Sequence, residues 1–273
     1  MAGSGWCGGW WGRNLRILTT LYANDFGLTS IRCRGLLVPH RAISATLARS
    51  VRPLLFENDD QHFQYSKRGS CCLVAYRAER LIVFTEHQRD GYSPESIRIV
   101  QNFTGGPSIA VDTFLSVDSK SGEEFEDLRG LKVARDHHAP EQLSDFFPIA
   151  DHLPPVQNSK LLIAVGVPTE LTMIDYEPAH IHAETVSIAC TYEARSAAVT
   201  GLHSAKITTP PSQQHHAVGV DGLSGGAIFS VDGKPGAYVV HFRGTILRGG
   251  NNRLHFMDVA AIRMMFNKMQ QQA

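Results

Sequence analysis

The chain has no surplus of charge: its 273 residues carry 26 Lys plus Arg against 26 Asp plus Glu, a formal net charge of zero. No overall field draws it to nucleic acid or to an anionic membrane, and neither is expected as a partner. It has no apolar run approaching the roughly 18 residues that span a bilayer. The first twenty residues, MAGSGWCGGWWGRNLRILTT, lack a positive region followed by an apolar core, so nothing there directs export. Cysteines are few, and Cys7, Cys33, Cys71, Cys72 and Cys190 form an odd set without paired spacing. Adjacent Cys71 and Cys72 are poorly placed to bridge each other. These read as buried thiols in a reducing compartment, and the expected location is cytoplasmic. The chain also lacks His-Glu-x-x-His and any cysteine pair at zinc spacing. The pairs His137-His138 and His215-His216, and the alternation of His180 and His182, read as loop or strand residues, so neither metal nor cofactor is expected.

What is present is a globular composition, 43% hydrophobic and 19% charged. Short β-prone runs recur at 72–76, 81–85, 97–103, 109–117, 128–134, 161–167, 185–192, 227–231 and 237–242, with turn signals between them. Many short strands without alternating long helices argue for an all-β sandwich or barrel. Two segments break the pattern. Residues 40–55 space their apolar side chains near helical period, which suggests a partly helical or disordered N-terminal extension over 1–56. From Asp258, a good N-cap, Val259, Ile262, Met265, Phe266 and Met269 keep one apolar stripe, the mark of a C-terminal amphipathic helix. The Pro-rich segment 151–160 reads as a linker, dividing the β body into 57–150 and 151–273. Trp6, Trp10 and Trp11 among glycines read as a frayed terminus, with a membrane-touching or partner-binding tail as the alternative.

The stretch DGLSGGAIFS, residues 221–230, places a hydroxyl between glycines and runs into an apolar strand. A serine is a poor nucleophile at neutral pH and needs a base for its proton and donors for the oxyanion it creates. Gly222 lets the backbone turn so that its N–H and that of Ser224 face one point, while Gly225 and Gly226 leave the hydroxyl open to approach. The other reading of Ser224 is the tip of a tight turn. Among 13 histidines, His87 closes a β run, RLIVFTEH, where a general base would sit on a rigid element.

A Thr-x-His after an apolar strand, followed much later by Gly-x-Ser-Gly-Gly, resembles the chymotrypsin-like (trypsin-fold) serine proteases, among them intracellular bacterial members, over roughly 65–268. The resemblance implies two packed six-stranded antiparallel β-barrels and peptide-bond hydrolysis by a Ser-His-Asp triad through an acyl-enzyme, without a cofactor. It assigns Ser224 as nucleophile, His87 as base, and the Gly222 and Ser224 N–H groups as oxyanion donors. It also implies an acid that opens a strand between His87 and Ser224. Asp127, in DLRGLKV, has that pattern, and Asp136, whose segment contains Pro140, is the rival. The primary pocket falls to Val218 and to the strand carrying His241, where an imidazole could pair with an acidic side chain. Leu223 stands where secreted relatives carry an Asp that pairs with a new N-terminus. Regulation then falls to the N-terminal segment or an activating protein partner, and substrates are peptides or proteins. Glu86 stands before His87 where a small residue is usual. The competing class is a protease-like interaction module, catalytically silent or switched on by a partner.

Overall fold

A computed structural model describes residues 29–102, 105–116, 127–159, 161–176, 179–208 and 220–272. The three tryptophans, Cys7, His215, His216 and Val218 lie outside them. The described chain opens with a hairpin, β1 (Ser30–Cys33) and β2 (Leu36–Pro39), and a short helix α1 (Ile43–Ala48) that buries Ile43 and Leu47 one turn apart. It then enters β3 (Val51–Glu57), β4 (Tyr65–Tyr76) and β5 (Glu79–Thr85). Next come the short strands β6 (Ile97–Arg98), β7 (Val100–Asn102) and β8 (Gly105–Ser108), then β9 (Val111–Ser116), β10 (Leu128–Val133) and β11 (Phe147–Pro148). Together these give a half-barrel in the order β6-β3-β4-β5-β10-β9, with β11 beside β4 and with β7 and β8 paired as a separate ladder.

The second half contains β12 (Leu161–Gly166), β13 (Thr172–Tyr176), β14 (Ala179–Ala183), β15 (Val186–Arg195) and β16 (Leu202–Ile207). It continues with β17 (Ala227–Asp232), β18 (Tyr238–Gly250) and β19 (Arg253–Asp258). The order β17-β12-β15-β16-β19-β18 closes on itself through β17–β18 pairing, making a six-stranded barrel, while β13 and β14 form a separate hairpin. The fold is therefore mostly β and double-barrelled. The expectation of two closed six-stranded barrels is corrected in one half, since among the described residues β6 and β9 at the ends of the first sheet do not pair.

The 40–55 segment also differs from expectation. Only Ile43–Ala48 is α-helical, and Val51–Glu57 is a strand paired with both β4 and β6. Residues 51–56 are all buried, Arg52 through its ion pair with Asp145, so the run shows no alternation that would mark it as a strand. Pro53 is tolerated because β6 pairs only with Leu55 and Phe56. The expected boundary at residue 56 thus falls inside a strand, and β1 and β2 extend the sheet of the second barrel.

Three larger apolar cores follow from the strand alternation, beside a small cluster of Leu55, Val100 and Ile181. Leu54, Leu73, Ile82, Phe84 and Leu131 fill the first half, and Leu162, Ile188, Ile228, Ile246 and Phe256 fill the second. Cys72, Val74 and Val83, on the opposite face of β4 and β5, join Val165, Phe229 and Phe242 in the seam between the halves. Helix α2 (Val259–Gln272) caps this seam with Ile262, Met265, Phe266 and Met269, and Asp258 Oδ1 accepts the Ala260 N–H at 2.8 Å. No described helix is long and apolar enough to cross a membrane.

Candidate active site

His87 is carried on a single 3-10 turn, Glu86–Gln88, that closes β5. Antiparallel pairing of β5 with β10 sets Leu128 opposite Thr85, so Asp127 arrives beside the turn as β10 begins. The Glu86 N–H donates to the Asp127 carbonyl (2.6 Å), and the His87 N–H donates to Asp127 Oδ1 (3.0 Å). His87 Nδ1 lies 2.8 Å from Asp127 Oδ2 and 3.0 Å from Oδ1, which fixes the ring and turns Nε2 away from the acid. The carboxylate is partly shielded, with 21% of its side chain exposed against 49% for the imidazole. Asp136 sits elsewhere, on the Arg135–His137 turn, in a hollow with Arg80 and His138. Glu86 binds Arg89 and Arg129, at 2.6 and 2.7 Å, so its carboxylate is neutralised by two guanidiniums beside the histidine.

Ser224 lies on the turn that leads into β17. Gly222 there has φ +85° and Gly225 has φ +79°, both in the left-handed region that glycine adopts without strain. Gly225 also meets a hard steric limit, since a Cβ there would stand 1.9 Å from the Ser70 carbonyl oxygen. The turn is held by Leu223 N–H to the Val220 carbonyl (3.1 Å), Gly226 N–H to Leu223 (2.8 Å) and Gly225 N–H to Ile246 (2.8 Å). Among the described residues, no acceptor takes the N–H of Gly222 or of Ser224. Leu223 is 1% exposed and packs against Gly166, inside the core of the second barrel.

Two buried polar side chains, neither singled out by sequence reasoning, tie the histidine turn to the serine turn. Gln88 Nε2 donates to the carbonyls of Ser70 (3.0 Å) and Ser224 (2.8 Å), while its Oε1 accepts the Thr85 N–H (2.8 Å). Ser70 Oγ donates to the Gly222 carbonyl (2.6 Å) and accepts the Val167 N–H (2.8 Å). The signal for Gln88 was a polar residue directly after the histidine, four residues beyond the apolar run 81–84.

The serine hydroxyl itself donates to the Leu247 carbonyl at 2.9 Å, and His87 Nε2 lies 3.3 Å from Thr85 Oγ1. The segment of β18 facing Ser224 is therefore around Leu247, and Gly249 packs closely on Val220. His241 is further back along β18, opposite Ser230, where burial lowers its pKa. It is not brought to the serine. The cavity lined by Pro94, Ile97 and Ile109 contains neither His87 nor Ser224. No group of three metal-ligating side chains occurs among the described residues.

No family model and no curated protein matches this chain in sequence. Among solved structures, it is similar to a thermostable serine protease, AL20, from an extremophilic microorganism, with a TM-score of 0.50 and 13% identity over 84% of this chain and 100% of that one. By its closed barrel, its half-barrel and this neighbour, the chain has the trypsin-like fold of the serine proteases.

Proposed function

We propose that this chain is a serine endopeptidase. Ser224 Oγ attacks a peptide carbonyl, His87 Nε2 takes its proton and then returns it to the leaving amine, and Asp127 orients the imidazole and stabilises its charged form. The N–H groups of Gly222 and Ser224 receive the oxyanion, and water releases the acyl-enzyme. The observation that carries this reading is the two-oxygen contact of Asp127 with His87 Nδ1, on a turn that Gln88 bonds to the Ser224 carbonyl. The neutral imidazole that donates through Nδ1 has an Nε2 lone pair for a proton once the ring nitrogen leaves Thr85 Oγ1, 3.3 Å away.

One observation favours a second reading, a module that is silent until a partner engages it. The Ser224 hydroxyl is bound to the Leu247 carbonyl rather than to the imidazole, so the nucleophile must rotate off that acceptor before it can react. Catalytic hydrogen bonds often tighten only in the substrate complex, which keeps the enzyme reading first. A fluorophosphonate probe separates the two. Labelling of the wild type that vanishes in Ser224→Ala is expected. Absence of labelling under every condition would leave the silent module.

A further inference from the structure

Lys67 on β4 has an unusual setting for an ammonium group. It is half-buried, its Nζ donates to the Val167 carbonyl at 2.6 Å, and among the described residues no carboxylate lies within ion-pair distance. A cation withdrawn from water without an ionic partner is costly, so its retention calls for a reason. Its neighbour is the oxyanion turn. A Cβ built on Gly222 would stand 2.8 Å from Lys67 Nζ and 2.7 Å from the Thr169 backbone nitrogen.

The two flanks of that turn are distinct. On one, the Leu247 carbonyl meets Ser224 Oγ and Gly249 packs on Val220, continuing the β18 edge along which an extended acyl half would lie. A substrate crossing the turn from that edge carries its leaving half over Gly222 and onto Lys67. Beyond Lys67 the surface becomes apolar. Tyr176 donates its hydroxyl to the Tyr65 carbonyl (2.7 Å), and Phe63, 60% exposed, stands edge-on to it with ring centres 5.4 Å apart.

Building on the endopeptidase reading, we propose that Lys67 determines specificity on the leaving-group side, selecting substrates with Glu or Asp among the first two residues after the cleaved bond. The charged groups around Lys67 are consistent with this role. Glu170, on the turn after Val167, favours the charged form but forms no ion pair with it. Arg68, next on β4, is engaged with Asp90 at 3.1 Å. Asp221 reaches this flank through its carbonyl, which accepts the Thr169 N–H. Burial lowers the Lys67 pKa to about 8, so the preference should be full at pH 6.5 and fade as pH rises through about 8, while substrate carboxylates stay ionised.

The test is cleavage of a proteome-derived peptide library by the full chain, with cleaved bonds read by mass spectrometry, alongside fluorophosphonate labelling of Ser224. About tenfold enrichment of Glu and Asp over Gln and Asn in those two positions is expected at pH 6.5, in line with a charge-assisted hydrogen bond. Lys67→Arg should keep the enrichment and Lys67→Gln should lose it. Labelling without cleavage, cleavage without enrichment in the wild type, or enrichment that survives in Lys67→Gln would overturn the inference and leave Ser224 reactive. Absence of labelling would overturn the endopeptidase reading itself.

Discussion

Gln88 offers a quantitative test of how the two turns are coupled. Gln88→Met keeps the length and approximate volume of the side chain while removing its amide, so packing changes little and hydrogen bonding changes a great deal. The Ser224 carbonyl retains a donor, because the Ser70 N–H also reaches it at 2.9 Å. The Thr85 N–H loses its acceptor inside a residue with no exposed surface, the Thr85 hydroxyl keeps only its contact with His87 Nε2, and the Ser70 carbonyl loses its side-chain donor. One orphaned buried donor costs about 1–3 kcal/mol and a weakened acceptor adds about 1 kcal/mol, so a loss of about 3 kcal/mol is expected. Urea unfolding followed by circular dichroism should show it as a lower midpoint at unchanged slope. The fluorophosphonate labelling rate should fall by about tenfold or more, because small misplacements of reacting groups are expensive. A stability loss below about 1 kcal/mol, with labelling as fast as in the wild type, would refute the idea that this amide sets the spacing of base and nucleophile.

Asp127→Asn should lower turnover by about 10⁴, as loss of the triad acid does in the serine protease template, while Asp136→Asn should leave it near wild type. Peptide turnover by the two variants decides between them, and the opposite result would reverse the assignment. Gly225→Ala should unfold or strongly destabilise the serine turn, by more than about 3 kcal/mol, since its Cβ would collide with the Ser70 carbonyl; thermal melting and solubility would show it. Burial pushes the thiols of Cys33 up to about 11, of Cys72 and Cys190 up to about 12, and of Cys71 higher still. Native protein at pH 8 should therefore take up iodoacetamide on none of these four, whereas urea-unfolded protein should take it up on all of them, as counted by mass spectrometry.

The strands that carry chemistry were legible because they are bounded by turns and end on the residues that matter. The run 81–85 corresponds to β5, and 128–134 corresponds to β10 with Asp127 at its start. The strands 51–57, 202–207 and 253–258 were missed for different reasons. The first is buried on both faces and has no alternation, and the other two are broken by His203, His255 and charged residues whose partners lie across the barrel. His203, for instance, is buried because it stacks on Phe256 and contacts Tyr192 and Asp258. Register was the least legible feature. β18 runs 13 residues and shifts pairing twice, so the segment facing Ser224 lies at Leu247, six residues beyond His241 (247 − 241).

The pairing of β1 with β18 has a consequence for how the chain is made. Ile31 sits opposite Tyr238, so its partner is synthesised 207 residues later (238 − 31), after the whole first sheet and most of the second. At about 5–20 residues per second, β1 waits about 10–40 seconds on the ribosome with its edge unpaired. The half-barrel from β3 to β10 can form from neighbouring segments in that interval, because its strands pair mostly with sequence neighbours. The opening hairpin, with Leu36 and Leu37 at 69% and 55% exposure even in the finished fold, is thus a sticky surface for longer than any other described strand. Nascent chains stalled before residue 238 would be the form most dependent on chaperones.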